Sequence, residues 1–465
     1  MQNTTDDETT QASVGHIRDS ILEGNIDRAA WSLSWPSALA MFLQTTSNNI
    51  DRFFVARLGS ELVAALGLSN TVLMMVFATI VAISTATTAL VARFHGARET
   101  LDAEQAARQS LYFSVVAALV IWCIFLPLEG PAVRLMAGKS TSVPPLSLGY
   151  LHISLIGLPP LFVLTVQMAA FRGLGDMMAI VRITLATSFL TALLDWLLIF
   201  GNLGFPALGL NGAAWAATIT RFIVLIYALK LLGESSLSGA MRRIHRPDFS
   251  WFRRIIRLGL PAGLQSVLRT GSSIMFFAFL GRLPNGEAAM AALTIGLGVE
   301  AFAFMPGFAF STAAAAMVGQ NLGAKTPGRA KEAAWACARQ SVGVMTIMGV
   351  AVFFLADPVA KLFSSDPEVV RLTSAYLKIN AISEPFIALS MTFSGALQGA
   401  GDTRSPTLVT FVSHWLLRLP LTYLLAIHLV MGTLAAWWVM AGTMMLTGIL
   451  IMLVFMSGRW RHQEV

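Results

Sequence analysis

Two aspartates, Asp51 in "QTTSNNID" and Asp195 in "TALLDWLLIFGN", interrupt stretches that are otherwise apolar. An ionised carboxylate in hydrocarbon is costly, so each needs a partner or a ligand. Asp51 comes six residues before Arg57 and Asp195 six before Gly201. At ~1.5 Å per residue both then lie about 9 Å from the ends of their helices, which makes a shared pocket feasible. Gln44, Asn48 and Asp51 recur at i, i+4 and i+7, along one face of a helix. Thr191 lies one turn before Asp195, where it can hydrogen-bond the acid or offer an oxygen to a small cation. Two such carboxylates repel, so the pair can hold a proton or share a monovalent cation, and hard alkali cations take oxygen ligands of this kind. The alternative is structural: Asp51 snorkels to an interface or pairs with Arg52 or Arg57, and Asp195 caps a backbone break.

Two more acids fall inside apolar stretches. Glu300 and Glu384 sit about 12 or 13 residues into their helices, hence roughly 18–20 Å deep, and could meet there as a second cation or substrate site. Their alternatives are ion pairs with Arg269 or Arg418, and for Glu384, beside Pro385, a cap on a broken helix. His152 and His414 stand alone in apolar stretches and read as packed or hydrogen-bonded. No nucleophile-and-base or metal-cluster spacing appears, so no enzyme chemistry and no cofactor are expected. Cys123 and Cys337 lie in apolar runs and read as small core residues rather than a disulfide framework.

The elements that must position these groups are membrane helices. Of 465 residues 55% are hydrophobic and 12% charged, about half the charged fraction usual for a soluble domain. Stretches long enough to cross a bilayer run over residues 31–57, 62–92, 109–128, 146–171, 179–201 and 210–232. After the basic stretch from Met241 to Arg257 come 258–281, 288–318, 333–356, 372–397, 405–428 and 433–457. With both termini inside, the basic residues concentrate in cytoplasmic segments, as the positive-inside rule asks. The net charge of +7 then belongs to lipid headgroups, and no nucleic-acid partner is expected. Residues 1–27 read as a polar cytosolic leader without a cleavable signal, ending in a short amphipathic segment.

The two halves repeat. "YLHISLIGLPPLFV" from Tyr150 aligns with "YLKINAISEPFIAL" from Tyr376, and "FRGLGD" from Phe171 with "LQGAGD" from Leu397, both at an offset of 226. "VARFHGAR" from Val91 and "VGQNLGAK" from Val318 match at 227, and Pro36 matches Pro261 at 225. The expected fold is therefore all-α and polytopic, with twelve transmembrane helices in two pseudo-symmetric six-helix bundles. An even number of spans per half makes the repeats parallel, an architecture of transporters. The expected parts are the leader 1–27, a first lobe 28–232, a basic linker 233–252, a second lobe 253–458 and a tail 459–465. At the repeat positions of Asp51 and Asp195 the second half carries Phe276 and Leu421, so those acids belong to the first lobe alone.

The first-span proline, "IDRFFVARLG", "LLDWLLIFG" followed by "GLNGAAWAAT", "FMPGFAFSTAAAAMVGQNLGA" and "GALQGAGDT" together resemble the multidrug and toxic compound extrusion (MATE) family, and the first-lobe acids resemble its DinF-like branch. The resemblance implies two six-helix lobes and efflux of organic, often cationic, compounds against inward H⁺ or Na⁺. For the cation site it implies Asp51 and Asp195, with Thr191 where that branch has asparagine and Ala217, next to Thr218, where it has threonine. Those two departures weaken a sodium assignment more than a proton one. A second-lobe acid couples transport in some members, which bears on Glu300.

The sequence thus reads as a secondary antiporter that exports amphipathic, cationic drug-like compounds in exchange for H⁺ or Na⁺ by alternating access. Asp51, Asp195, Thr191, Asn48 and Thr218 are the expected ion site, and Gln44, Arg269 and Arg418 the expected substrate-cavity residues. The rival reading, a lipid or polyprenyl-phosphate flippase, rests on Arg52, Arg269 and Arg418. A monomer in a bacterial inner membrane, with small organic substrates and the bilayer as partners and both termini cytoplasmic, completes the expectation.

Overall fold

The computed structural model describes residues 18–137, 143–242 and 246–463. Most of the leader, the middle of the basic linker and the last two residues of the tail lie outside the described residues. Among the described residues there is no strand, and twelve helical rods follow one another. They are α1 (Ile26–Ala56), α2 (Ser60–Gly96), α3 (Thr100–Ala137), α4 (Val143–Ile156 and Leu158–Leu174), α5 (Met177–Phe200) and α6 (Leu210–Glu234). Then come α7 (Phe249–Leu280), α8 (Gly286–Gly323), α9 (Pro327–Phe363), α10 (Pro367–Ala381 and Glu384–Gly399), α11 (Arg404–His428) and α12 (Gly432–Met456). Eight are long and apolar enough to cross a membrane, and the two segments of α4, bent by 52°, make a ninth. The other three, α1, α7 and α10, carry Asp51, Arg269 and Glu384 within them, the polar positions that a site inside the bilayer requires.

The repeat is visible in the turns. Gly175 and Gly401, at equivalent places, adopt φ of 81° and 91°, a left-handed conformation that glycine takes without steric cost. The aspartate that follows caps the next helix in each copy: Ala179 N–H donates to Asp176 Oδ1 at 2.9 Å, and Ser405 N–H to Asp402 Oδ1 at 3.1 Å. The turns between α2 and α3 and between α8 and α9 match likewise, with Arg98 at φ 62° and Lys325 at φ 59°. A left-handed lysine costs about 1–2 kcal/mol, part of which glycine returns as unfolded-chain entropy. Lys325→Gly should therefore raise stability by roughly 0.5–1 kcal/mol, read as a higher thermal midpoint in detergent.

Packing divides the chain into two units: Leu39–Gly259 with Asp19, and Ser20–Ala38 with the chain from Leu260 onward. α1 thus begins in the second unit and ends in the first, and α7 does the reverse, with each change falling beside Pro36 or Pro261. The start of α1 is held to α9 by Arg329, which donates to the carbonyls of Ile21 and Gly24, and by the Asp27–Arg339 ion pair at 3.1 Å. The basic linker packs with the first unit: Gln109 on α3 donates to the Arg246 carbonyl at 3.2 Å and accepts from Asp248 N–H at 3.0 Å.

In the first unit, Val55, Leu66, Tyr150, Ile199 and Leu210 form one apolar cluster where α1 and α5 end and α2, α4 and α6 begin. In the second, Phe276, Tyr376, Leu419 and Trp437 belong to a larger one. α11 is not a uniform helix. π-helical stretches at Phe411–Arg418 and Tyr423–His428 flank Leu419–Thr422. Pro420 lies between them and has no N–H to give an ordinary helical bond. At the loop end of α10, Arg371 and Asn285 donate to Glu368 and hold its carboxyl down at about 2. That support is present at neutral pH and is lost only as the pH falls toward 2.

Candidate ion-binding site

In the first unit, α1 supplies Asp51, α4 Tyr150, α5 Asp195 and α6 Thr218 and Arg221. Asp195 is 1% exposed, and neither of its oxygens has a hydrogen-bond partner. Asp51, half-buried, lies within electrostatic reach of Asp195. Tyr150 interacts with both acids and with Arg221, and Arg221 with Asp51. The two acids whose equal depths were read from the sequence thus lie within electrostatic reach of each other in the first unit.

Two α6 side chains meet α4 at its break. Gly157 ends the first segment, and a Cβ there would lie 2.8 Å from Arg221 Nη1 and 2.9 Å from Thr218 Oγ1. The missing side chain is what lets these two groups of α6 approach the bend, and Thr218 also donates to the Ile153 carbonyl at 3.2 Å. Gly157→Ala should push the guanidinium aside. The expected stability cost is only about 1 kcal/mol, checked by thermal unfolding in detergent.

Several expectations change. The hydrogen bond from Thr191 to Asp195 is not formed: helical spacing puts both residues on one face, but both carboxylate oxygens stay unpartnered. Asp195 caps no break, since α5 runs on to Phe200 and ends at Gly201, whose N–H donates to the Leu197 carbonyl. Among the described residues Asp51 forms no ion pair within hydrogen-bonding range of Arg52 or Arg57, and Arg57 instead stacks 4.5 Å over the Phe53 ring. Asn48 and Gln44 bond each other at 3.2 Å and are exposed on α1, on the helix face that also carries Asp51.

The second unit holds a parallel assembly. Tyr376 donates to Glu300 Oε2 at 2.8 Å, and Arg418 Nε donates to Thr443 Oγ1 at 2.9 Å. Glu300 lies within electrostatic reach of Arg418 and Glu384. The alternative of direct ion pairs is not realised among the described residues: Glu300 Oε1, Glu384 Oε2 and Arg418 Nη2 are buried without hydrogen-bond partners. The Tyr376 ring sits where Gly296 lacks a Cβ and meets Trp437 edge-on at 5.0 Å. Arg418, expected to line a cavity, is 5% exposed and belongs to this buried cluster, whereas Arg269 is exposed.

Tyr150 and Tyr376 occupy equivalent repeat positions. Each unit thus surrounds one equivalent tyrosine with two acids and an arginine placed at non-equivalent positions. Where the second copy lacks the first copy's acids, Phe276 packs against Trp437 and Leu421 is partly exposed.

The family model for MatE matches twice, over residues 36–197 and 261–424. The chain belongs to the MatE family. The two matched segments begin at Pro36 and Pro261, the same repeat that the turns display. Relatives of this MatE chain include a probable multidrug resistance protein NorM of Thermotoga maritima, 28% identical over 93% of each chain. Another is the multidrug resistance protein PmpM of Pseudomonas aeruginosa, 26% identical over 85% of this chain and 83% of its own. Among solved structures, a MOP superfamily transporter from Pyrococcus furiosus superposes with a TM-score of 0.86 at 22% identity, covering 96% of this chain and 98% of its own. A multidrug resistance MATE family transporter in an outward-facing conformation gives 0.84 at 24%, covering 95% and 97%. These likenesses show the fold: twelve transmembrane helices in two six-helix bundles.

Sequence reasoning missed Tyr150, Tyr376 and Arg221 as site residues of this MatE chain. The signals were present: both tyrosines open the aligned repeat segments, and an arginine inside a span marks a functional position by default.

Proposed function

We propose that the protein is a secondary active antiporter that exports amphipathic, cationic drug-like compounds in exchange for protons, by alternating access in a bacterial inner membrane with both termini cytoplasmic. The observation that carries the reading is Asp195, buried with both oxygens unpartnered and facing the charge of Asp51. A carboxylate so placed is stable only when something neutralises it, and a mobile cation is the simplest candidate. Thr191 donates nothing to Asp195, and Thr218 spends its proton on a backbone carbonyl. Ala217 stands where the DinF-like branch has a threonine, which takes one oxygen away from a sodium ion and favours H⁺. The relatives' names support export of drugs, and the first-lobe acids support the DinF-like branch.

The buried group of Glu300, Tyr376, Glu384 and Arg418 is a second ion or substrate site in this reading. Exposed Arg269 favours the rival one, a flippase for lipid or polyprenyl phosphates. The deciding experiment loads purified protein into vesicles and imposes pH and sodium gradients separately while following a fluorescent organic cation. Uptake driven by the pH gradient without sodium is expected. Uptake driven by sodium alone reassigns the ion, and indifference to both gradients overturns the antiporter reading.

A further inference from the structure

The chain enters α7 through "PDFSWFRRIIRLGL", Pro247 to Leu260, a stretch that sorts by chemistry around the helix. At about 100° per residue, Trp251, Ile255, Leu258 and Ala262 fall on one side, and all four are buried. The opposite side is exposed and carries two strips. Phe249, 80% exposed, forms an apolar strip with Ile256, Leu260 and Leu264, and Arg253, Arg254 and Arg257 run beside it, also exposed.

The buried side is fixed to the first unit. Trp251 packs on Phe94 of α2 with ring centroids 5.7 Å apart, and Phe252 on Phe113 of α3 at 5.1 Å. Gly259 lies so close to α2 that a Cβ there would come within 2.5 Å of the Ala82 carbonyl oxygen. The exposed side is therefore presented on a well-anchored helix. Arg254 is steadied further, its guanidinium 5.1 Å from the centre of the Trp251 ring. Among the described residues no acid pairs with any of the three arginines, and Asp248, the acid nearest in sequence, accepts from Ser250 N–H at 2.8 Å.

Neither water nor hydrocarbon alone suits this surface. Apolar side chains stand one turn before the arginines, at Phe249, and one turn after them, at Leu260. α7 has 32 residues, about 48 Å of helix against roughly 30 Å of hydrocarbon, so its arginine-bearing start reaches the headgroup layer. We infer that this face binds an anionic phospholipid in the leaflet on the side of the α6–α7 linker. Its phosphate meets Arg253, Arg254 and Arg257, whose planar guanidinium groups match phosphate oxygens in pairs. Its acyl chains lie along Ile256, Leu260 and Leu264, which a soluble anion would leave bare. The basic excess of the whole chain selects no position, whereas this strip does, and the site goes beyond the antiporter reading without depending on it.

Native mass spectrometry of the detergent-solubilised protein tests the site, with phosphatidylglycerol and phosphatidylcholine of the same acyl chains as probes. The wild type is expected to retain one phosphatidylglycerol about tenfold or more tightly than phosphatidylcholine. Arg253→Gln should weaken that binding about fivefold, and neutralising Arg253, Arg254 and Arg257 together should erase the preference. Lys325→Gln, Lys331→Gln and Arg404→Gln combined, three exposed bases elsewhere, should leave it unchanged. A preference that survives the arginine triple, or that falls as far in the control triple, overturns the site. So does displacement of the lipid by inorganic phosphate at constant ionic strength, which would assign the arginines to a soluble anion. If the arginine triple does not fold, the three single glutamine variants carry the test, and unchanged binding in all of them overturns the proposal.

Discussion

Asp195→Asn should abolish accumulation of substrate driven by a pH gradient while leaving the protein folded and more stable. The amide matches the protonated acid in shape and charge, so the pocket is held permanently in its loaded form, and it has no proton to release. Transport that requires loading and unloading stops, whereas binding of the organic substrate, measured by dye fluorescence in detergent, persists. Stability moves in the opposite direction from activity. A buried polar group without a partner costs about 1–3 kcal/mol, and more when ionised. Removing the ionisable group should therefore raise the thermal midpoint, the sign expected of a site that trades stability for function. Asp51→Asn should show a weaker version of both effects, because Asp51 is only half-buried. Proton-driven efflux surviving in Asp195→Asn would remove the basis for placing the ion there.

The repeat and the acid pairs were legible because both depend on quantities that a sequence carries. A Gly-Asp turn at a fixed offset is a local backbone requirement, and the structure has a left-handed glycine and a capping aspartate at both copies. Depth follows from residue number and helix rise, and each of the pairs Asp51–Asp195 and Glu300–Glu384 lies within electrostatic reach. What failed needed side-chain direction or tertiary packing. Thr191 lies on the right face of α5, yet facing an acid is not bonding it. Tyr150 and Tyr376 were visible as repeat markers but carry no charge to draw attention, and Arg221 looked like one more basic residue within a span. The passage of α1 and α7 from one unit to the other is set by contacts of their ends, such as Arg329 on the carbonyls before α1, and no periodicity encodes it. The π-helical winding that leads into Arg418 is likewise a compromise around Pro420 that hydropathy does not report.

Tyr376→Phe should be the most destabilising conservative change in the second unit. The ring stays packed between Gly296 and Trp437, so no cavity opens, but Glu300 Oε2 loses its donor and joins Oε1 as a buried oxygen without a partner. Leaving a carboxyl wholly unsatisfied costs about 2–3 kcal/mol, against about 1 kcal/mol for a hydrogen bond lost to water. Glu300→Gln should cost less, since the amide oxygen still accepts from Tyr376 and the group is neutral. In the double variant the penalty of Tyr376→Phe should shrink, because no ionisable group remains to be stranded. The resulting coupling energy of roughly 1–2 kcal/mol is measurable as a double-mutant cycle on thermal unfolding. Transport then separates two roles for the cluster. If Glu300→Gln lowers substrate flux far more than it lowers stability, the Glu300–Glu384 pair handles ion or substrate. If flux falls only in proportion to folded protein, the tyrosine, glutamates and arginine hold the second unit together, and the exchange of charge rests on the first unit alone.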